Sequence, residues 1–126
     1  MGYTFHHIAL KVKDFDATVQ FLMDVLDVKV RAKWGSPEAP IAMLKMDDGG
    51  ILEVFGGGTD ADEVNARYFH LAVNVEDVDA MYEKALAAGA TSHMAPADAR
   101  INEDLGLRIA FVVIPGGAIL EFLKEM

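Results

Sequence analysis

The sequence predicts an α+β fold built from two tandem βαβββ modules. Two internal echoes carry that prediction. His7-Ile8-Ala9-Leu10-Lys11-Val12-Lys13-Asp14-Phe15-Asp16-Ala17 returns as His70-Leu71-Ala72-Val73-Asn74-Val75-Glu76-Asp77-Val78-Asp79-Ala80, roughly half the chain later. Gly49-Gly50-Ile51-Leu52-Glu53-Val54-Phe55 returns as Gly116-Gly117-Ala118-Ile119-Leu120-Glu121-Phe122, with one residue inserted before the isoleucine. A period this long, met twice, fits two copies of one supersecondary unit rather than a solenoid. Each copy runs from a histidine in one apolar strand to a glutamate in another.

Residues 5–12 read as a buried strand, with His7, Ala9 and Lys11 on one face and His6, Ile8, Leu10 and Val12 on the other. Asp14 or Asp16 offers an N-cap to a helix whose apolar stripe is Phe15, Val19, Leu22 and Leu26. Val28–Ala32 is the second strand, and residues 34–40, with Gly35, Pro37 and Pro40, form a turn-rich connection. Ile41–Met46 and Ile51–Phe55 follow as strands around an Asp47-Asp48-Gly49-Gly50 hairpin turn.

The expected boundaries are module 1–58 and module 66–126 of a single domain, 1–126, joined by the Gly-rich, acidic linker 56–65. Gly56-Gly57-Gly58 lacks the lysine and the Ser/Thr that a phosphate loop needs. The second module repeats the order: a strand over Phe69–Val75, then a helix capped by Asp77 or Asp79. Met81, Tyr82, Ala85 and Leu86 form its buried side and Gly89 its stop. Thr91–Met94 reads as a strand, 95–102 as irregular, and Leu107–Ile114 with Ala118–Leu123 as a hairpin across Pro115-Gly116-Gly117.

Hydrophobic residues make up 52% of the 126, enough for a packed core. The net charge of −9 argues against a nucleic-acid partner, because phosphates repel such a surface. With no cysteine, disulfides and thiolate metal sites are excluded. No signal peptide follows Met1 and no apolar run reaches the roughly 20 residues of a membrane span, so a soluble cytoplasmic protein is expected.

Parity places Glu53 between Ile51 and Phe55, and Glu121 between Ile119 and Leu123, on faces that should point inward. A carboxylate there must be paired, hydrogen-bonded or metal-bound. Two imidazoles and two carboxylates suit a divalent ion such as Zn, Ni, Co, Fe or Mn. His6 has Phe69 as its counterpart and faces away from His7, so His7 is the better ligand. His93 has no counterpart and reads as a rim residue. Lys11 and Asn74 share the histidine faces and, with Phe55, are candidates for substrate contact.

The paired His-(I/L)-A-x-x-V and (I/L)-L-E segments, over about Phe5 to Leu123, resemble the vicinal oxygen chelate superfamily. That group includes glyoxalase I, bleomycin-resistance proteins, methylmalonyl-CoA epimerase, fosfomycin-resistance transferases and extradiol dioxygenases. The His-Glu-His-Glu set is most similar to glyoxalase I. Epimerases carry Gln where Glu53 stands, dioxygenases and fosfomycin enzymes use three ligands, and bleomycin-binding members lack the metal residues.

The resemblance implies His7, Glu53, His70 and Glu121 as metal ligands, with Glu53 and Glu121 both candidates for the catalytic base. It implies proton transfer through a metal-stabilised enediolate on a small carbonyl or vicinal-oxygen substrate, and a homodimer. Lys11 stands where short bacterial glyoxalases carry Arg, and Gly57 where they carry Asn, so the glutathione-contacting residues are not matched. The contrasting expectation is a bleomycin-resistance-type binding protein, for which acidic charge and Trp34 would suit a cationic ligand. An epimerase or ring-cleaving oxygenase is the third reading.

Overall fold

The computed structural model describes residues 3–65, 68–115 and 118–126. The chain divides into two compact units, His7–Phe69 and the segment up to His6 together with His70–Met126. The division falls between Phe69 and His70 and, within the first strand, between His6 and His7.

In the first unit the elements are β1 (Thr4–Lys11, belonging here from His7 onward), α1 (Phe15–Leu26), β2 (Lys29–Gly35), β3 (Pro40–Lys45), β4 (Ile51–Phe55) and α2 (Asp60–Asn65). Its sheet has the order β2-β3-β4-β1, with β1 parallel to β4 and the other neighbours antiparallel. Asp14 caps α1, its carboxylate accepting from the Ala17 N–H at 3.1 Å. The helix stops at Asp27, whose φ of 58° is a left-handed conformation that a short polar side chain tolerates.

The alternate residues of the strands face α1. Ala42, Leu44, Leu52 and Val54 pack with Phe15, Val19 and Val28 into one core. Leu26, expected on the buried stripe, is 51% exposed. It is the last helical residue, and once the chain turns at Asp27 it is Val28 that fills the core.

Two further departures in this unit have local causes. β2 runs on through Trp34 and Gly35, leaving only Ser36–Ala39 as the turn, closed by Ser36 and Ala39 bonding each other's backbone. Gly35 has φ 95°, and a Cβ there would lie 2.4 Å from the Ala39 carbonyl oxygen, so this turn requires glycine. The segment expected as a linker carries the short helix α2. Thr59 and Asp62 form a reciprocal box at its start: the Thr59 N–H donates to the Asp62 carboxylate and the Asp62 N–H to Thr59 Oγ1. The glycines before it serve close backbone approach, since the Gly58 N–H donates to the Val12 carbonyl.

The second unit contains β5 (Tyr68–Asn74), α3 (Val78–Ala87), β6 (Thr91–Asn102), β7 (Leu105–Val113) and β8 (Ile119–Glu125). Their order is β5-β8-β7-β6, again with one parallel pair, β5 with β8. Asp77 caps α3 by accepting from the Ala80 N–H at 3.0 Å, and Gly89 ends it at φ 111°. Val75, Val78, Tyr82, Ala110, Val112 and Phe122 form the core, with Met81, Ala85 and Leu86 packed against it.

Strand β6 replaces the irregular stretch expected over 95–102. It lies at the end of this unit's strand order, where Pro96 removes no ladder bond that must be made. Register shifts at Ser92/Met94, Met94/Ala97 and Arg100/Asn102 absorb the irregularity. The turn expected at Gly116-Gly117 lies outside the described residues. Each unit is thus a βαβββ module, and the α+β class stands.

Candidate functional site

Each unit buries one histidine–glutamate pair, built the same way. In the first, β1 and β4 run parallel with Ala9 opposite Glu53 and His7 opposite Ile51. His7 and Glu53 therefore share a face, one alternation apart, and the small Ala9 side chain leaves room for imidazole and carboxylate to meet. His7 Nε2 lies 3.3 Å from Glu53 Oε1, with the residues 1% and 4% exposed. On β3, fully buried Met43 is Glu53's cross-strand partner.

The second unit repeats this register. Ala72 is opposite Glu121, His70 opposite Ile119, and Phe111 of β7 is the cross-strand partner of Glu121. His70 Nε2 lies 3.1 Å from Glu121 Oε1, and both residues are at most 5% exposed. The His70 and Phe111 rings meet edge to face, centroids 5.4 Å apart and planes at 83°.

Carboxylates buried among apolar side chains need charge compensation. Imidazole nitrogen and carboxylate oxygen are ordinary ligands of divalent transition metals. Two donors about 2.1 Å from one ion, at angles of about 90–109°, lie about 3.0–3.4 Å apart. Both N···O separations fall in that range, so each pair has the donor chemistry and spacing of two ligands to one ion.

The remaining predicted residues sit as follows. Lys11 and Phe55 are register partners at the ends of β1 and β4, one alternation beyond Ala9 and Glu53. Lys11 is exposed and lines a hollow of about 290 Å³ with Thr18 and Asp62, while Phe55 is half-buried. Asn74 donates from its amide to Thr4 Oγ1 and the Phe5 carbonyl at 3.1 and 3.4 Å, fastening the start of β1 within the second unit. A larger cavity of about 800 Å³, lined by Lys13, Asp16, Lys33, Glu38 and Gly57 among others, includes neither His7 nor Glu53 in its wall.

Sequence reasoning missed two partners. His6 does not simply face away from His7: it is buried, with Nε2 2.7 Å from Glu125 Oε2. Phe111 was seen only as a strand residue, although it stands two positions before Val113 in the same alternation that puts Glu121 inward. His93 is exposed on β6, as expected of a rim residue, and its ring packs on Phe111 at 6.1 Å. Away from the pair, Arg108 forks onto the Asp79 carboxylate at 2.8 and 3.0 Å and reaches Asp98 at 3.2 Å. The guanidinium holds the Asp79 carboxyl below the ordinary carboxylate value.

The sequence profile of the Glyoxalase/Bleomycin resistance protein/Dioxygenase superfamily matches residues 4–106. The chain belongs to that superfamily. A lactoylglutathione lyase of Haemophilus influenzae is 29% identical over 125 residues, covering 94% of this chain and 90% of that protein. Among solved structures of the superfamily's fold, a hypothetical protein of Bacillus halodurans C-125 matches with TM-score 0.79 at 17% identity, covering 100% of this chain and 96% of the other. Methylmalonyl-CoA epimerase from Mycobacterium tuberculosis matches with TM-score 0.73 at 19% identity, over 98% and 88% of the two chains. At these identities the structural likenesses establish fold alone. No helix among the described residues is long and apolar enough to cross a membrane.

Proposed function

We propose that this superfamily member is a glyoxalase I-like, metal-dependent lyase or isomerase acting on a small carbonyl or vicinal-oxygen substrate. The observation that carries the reading is the pair of buried His–Glu couples at matching register, 3.3 and 3.1 Å apart. The named lyase among the relatives supports it. In this reading His7, Glu53, His70 and Glu121 ligate one divalent ion (Ni, Zn, Co, Fe or Mn), which supplies Lewis-acid polarisation of adjacent substrate oxygens.

The chain's own residues do the rest. Glu53 or Glu121 takes a proton from the carbon beside the substrate carbonyl and returns it to the neighbouring carbon, so the reaction is an internal redistribution of hydrogen. Burial of both carboxylates excludes bulk water from that transfer. Lys11 and Phe55, adjacent at the strand ends beyond Glu53, would meet an anionic or carbonyl group and an apolar part of the substrate. Asn74 would contribute from its place on β5. The protein is taken to act in the cytoplasm as a homodimer.

Metal content settles the first step. Protein purified without chelator should carry about one transition-metal ion per four-ligand set, and His7→Ala/His70→Ala should carry none. A parent that is metal-free and refuses added Ni²⁺, Co²⁺ and Zn²⁺ would overturn the reading. A metal-loaded parent is then assayed on 2-oxoaldehyde thiol adducts and on acyl-CoA epimers, which separates the lyase from the epimerase. One observation favours a second reading, a bleomycin-resistance-type binding protein: the −9 net charge suits a cationic ligand better than an anionic thiol conjugate. Ligand capture that survives chelation would point there.

A further inference from the structure

The two His–Glu couples are chemically alike but differently walled. Against Glu53 stands Met43, an unbranched thioether that accommodates several rotamers. Against Glu121 stands Phe111, a rigid ring that also meets the His70 imidazole edge to face. His93 presses on the same phenyl ring from β6 at an interplanar angle of 70°.

We infer that Phe111 is a positioning residue for His70: its ring fixes the rotation of the imidazole so that Nε2 stays aimed at the Glu121 carboxylate. Rotation about the bond between Cβ and a histidine ring is broad and roughly two-fold, so the side chain alone does not choose an orientation. An edge-to-face neighbour does choose one, because the positive edge of one ring must stay on the negative face of the other. A methionine in that place imposes no such angular preference. The second unit therefore orients His70 with an aromatic wall. Where Nε2 is a metal ligand, which rests on the function proposed above, the same ring also sets metal affinity.

The test transplants the first unit's residue into the second. Phe111→Met is compared with Phe111→Tyr, which retains the ring, and with Met43→Leu as the counterpart change beside Glu53; Phe111→Leu substitutes if Phe111→Met does not fold. NMR of the metal-free proteins, with ¹⁵N-labelled histidine, reads the ring directly. The parent and Phe111→Tyr should give one sharp set of His70 ring signals, and Phe111→Met a broadened or doubled set.

Chelator competition then reads Co²⁺ affinity, expected to weaken about three- to tenfold in Phe111→Met and to recover in Phe111→Tyr. His70 ring signals unchanged in Phe111→Met would overturn the inference. So would parental Co²⁺ affinity in a parent that binds the ion. If the parent takes up no Co²⁺, the metal reading falls, and the ring signals alone decide the role of Phe111.

Discussion

The two modules share a register around the histidine and the glutamate and differ almost everywhere else. In both, a parallel strand pair sets an alanine opposite the glutamate and the histidine one alternation away. In both, an aspartate two residues after the first strand's apolar run caps a helix that covers the other face of the sheet. Yet α1 ends on a left-handed aspartate and α3 on a glycine. β2 has seven residues and one register shift before its turn into β3, whereas β6 has twelve and three before its turn into β7. Pro40 occupies the place three residues before Met43 that Arg108 occupies before Phe111, and in the second module that arginine ties β7 to the start of α3 through Asp79. The features held in common are those that seat the buried polar pair. Of the divergent ones, the helix ends, the turns and Arg108 lie where the chain meets solvent, while Met43 and Phe111 differ beside the buried glutamates.

The strongest way to break this equivalence is chemical. Glu53→Gln and Glu121→Gln each keep the shape of the site and remove a carboxylate. The one that serves as base should lose about 10²–10⁴-fold in kcat, and the other chiefly metal affinity. Steady-state kinetics at saturating metal, beside metal titrations, would tell them apart. Equal kinetic losses in both would mean the two modules contribute alike to the chemistry.

Next in size are the matched core positions. Leu44 and Val112 are both fully buried on the helix side, at the residue following Met43 and Phe111. Leu44→Ala should destabilise by about 2–5 kcal/mol in urea unfolding, through lost burial and the cavity left behind. Val112→Ala removes less and should cost about 1–3 kcal/mol. A Leu44→Ala cost below 1 kcal/mol would mean that the first module's core relaxes around the gap.

Smaller effects follow at the helix starts. Asp14→Ala and Asp77→Ala should each cost about 1 kcal/mol, since each carboxylate satisfies one otherwise orphaned N–H. Similar losses from both would support equivalent helix starts; a null result at one would break the symmetry.

The smallest concerns Arg108. Because the guanidinium lowers the folded-state pKa of Asp79, its ionised form contributes stability above the unfolded-state value of 3.8, and this is lost as pH falls through the lower folded value. Thermal midpoints of the parent and Asp79→Asn should therefore differ slightly at neutral pH and converge in acid. Salt should shrink the difference, as expected of an exposed pair. A gap that widens on acidification would contradict this sign.

Much of this was legible because repetition is a signal that one sequence can carry. The His7/His70 and Glu53/Glu121 echoes marked the couples, and the Asp14 and Asp77 caps were readable from a short carboxylate before an apolar helical stripe. The start of β6 over Thr91–Met94 was readable but its continuation over 95–102 was not, because Pro96 and polar alternation look the same in a loop and in a bulged edge. Helix α2 was hidden by the glycines before it, although Thr59 and Asp62 stand at capping-box spacing. Phe111 and the His6–Glu125 contact were missed for another reason: each depends on which distant segment of the chain is brought near.

By itself, then, the sequence determined the modular α+β plan, the faces of the strands and the four residues worth testing, because alternation and repetition are local properties of the chain. The tertiary structure decided what stands against each of them: alanine opposite each glutamate, Met43 beside one and Phe111 beside the other. Cross-strand register is set by pairing between distant segments, and no local pattern encodes which neighbour a side chain will meet.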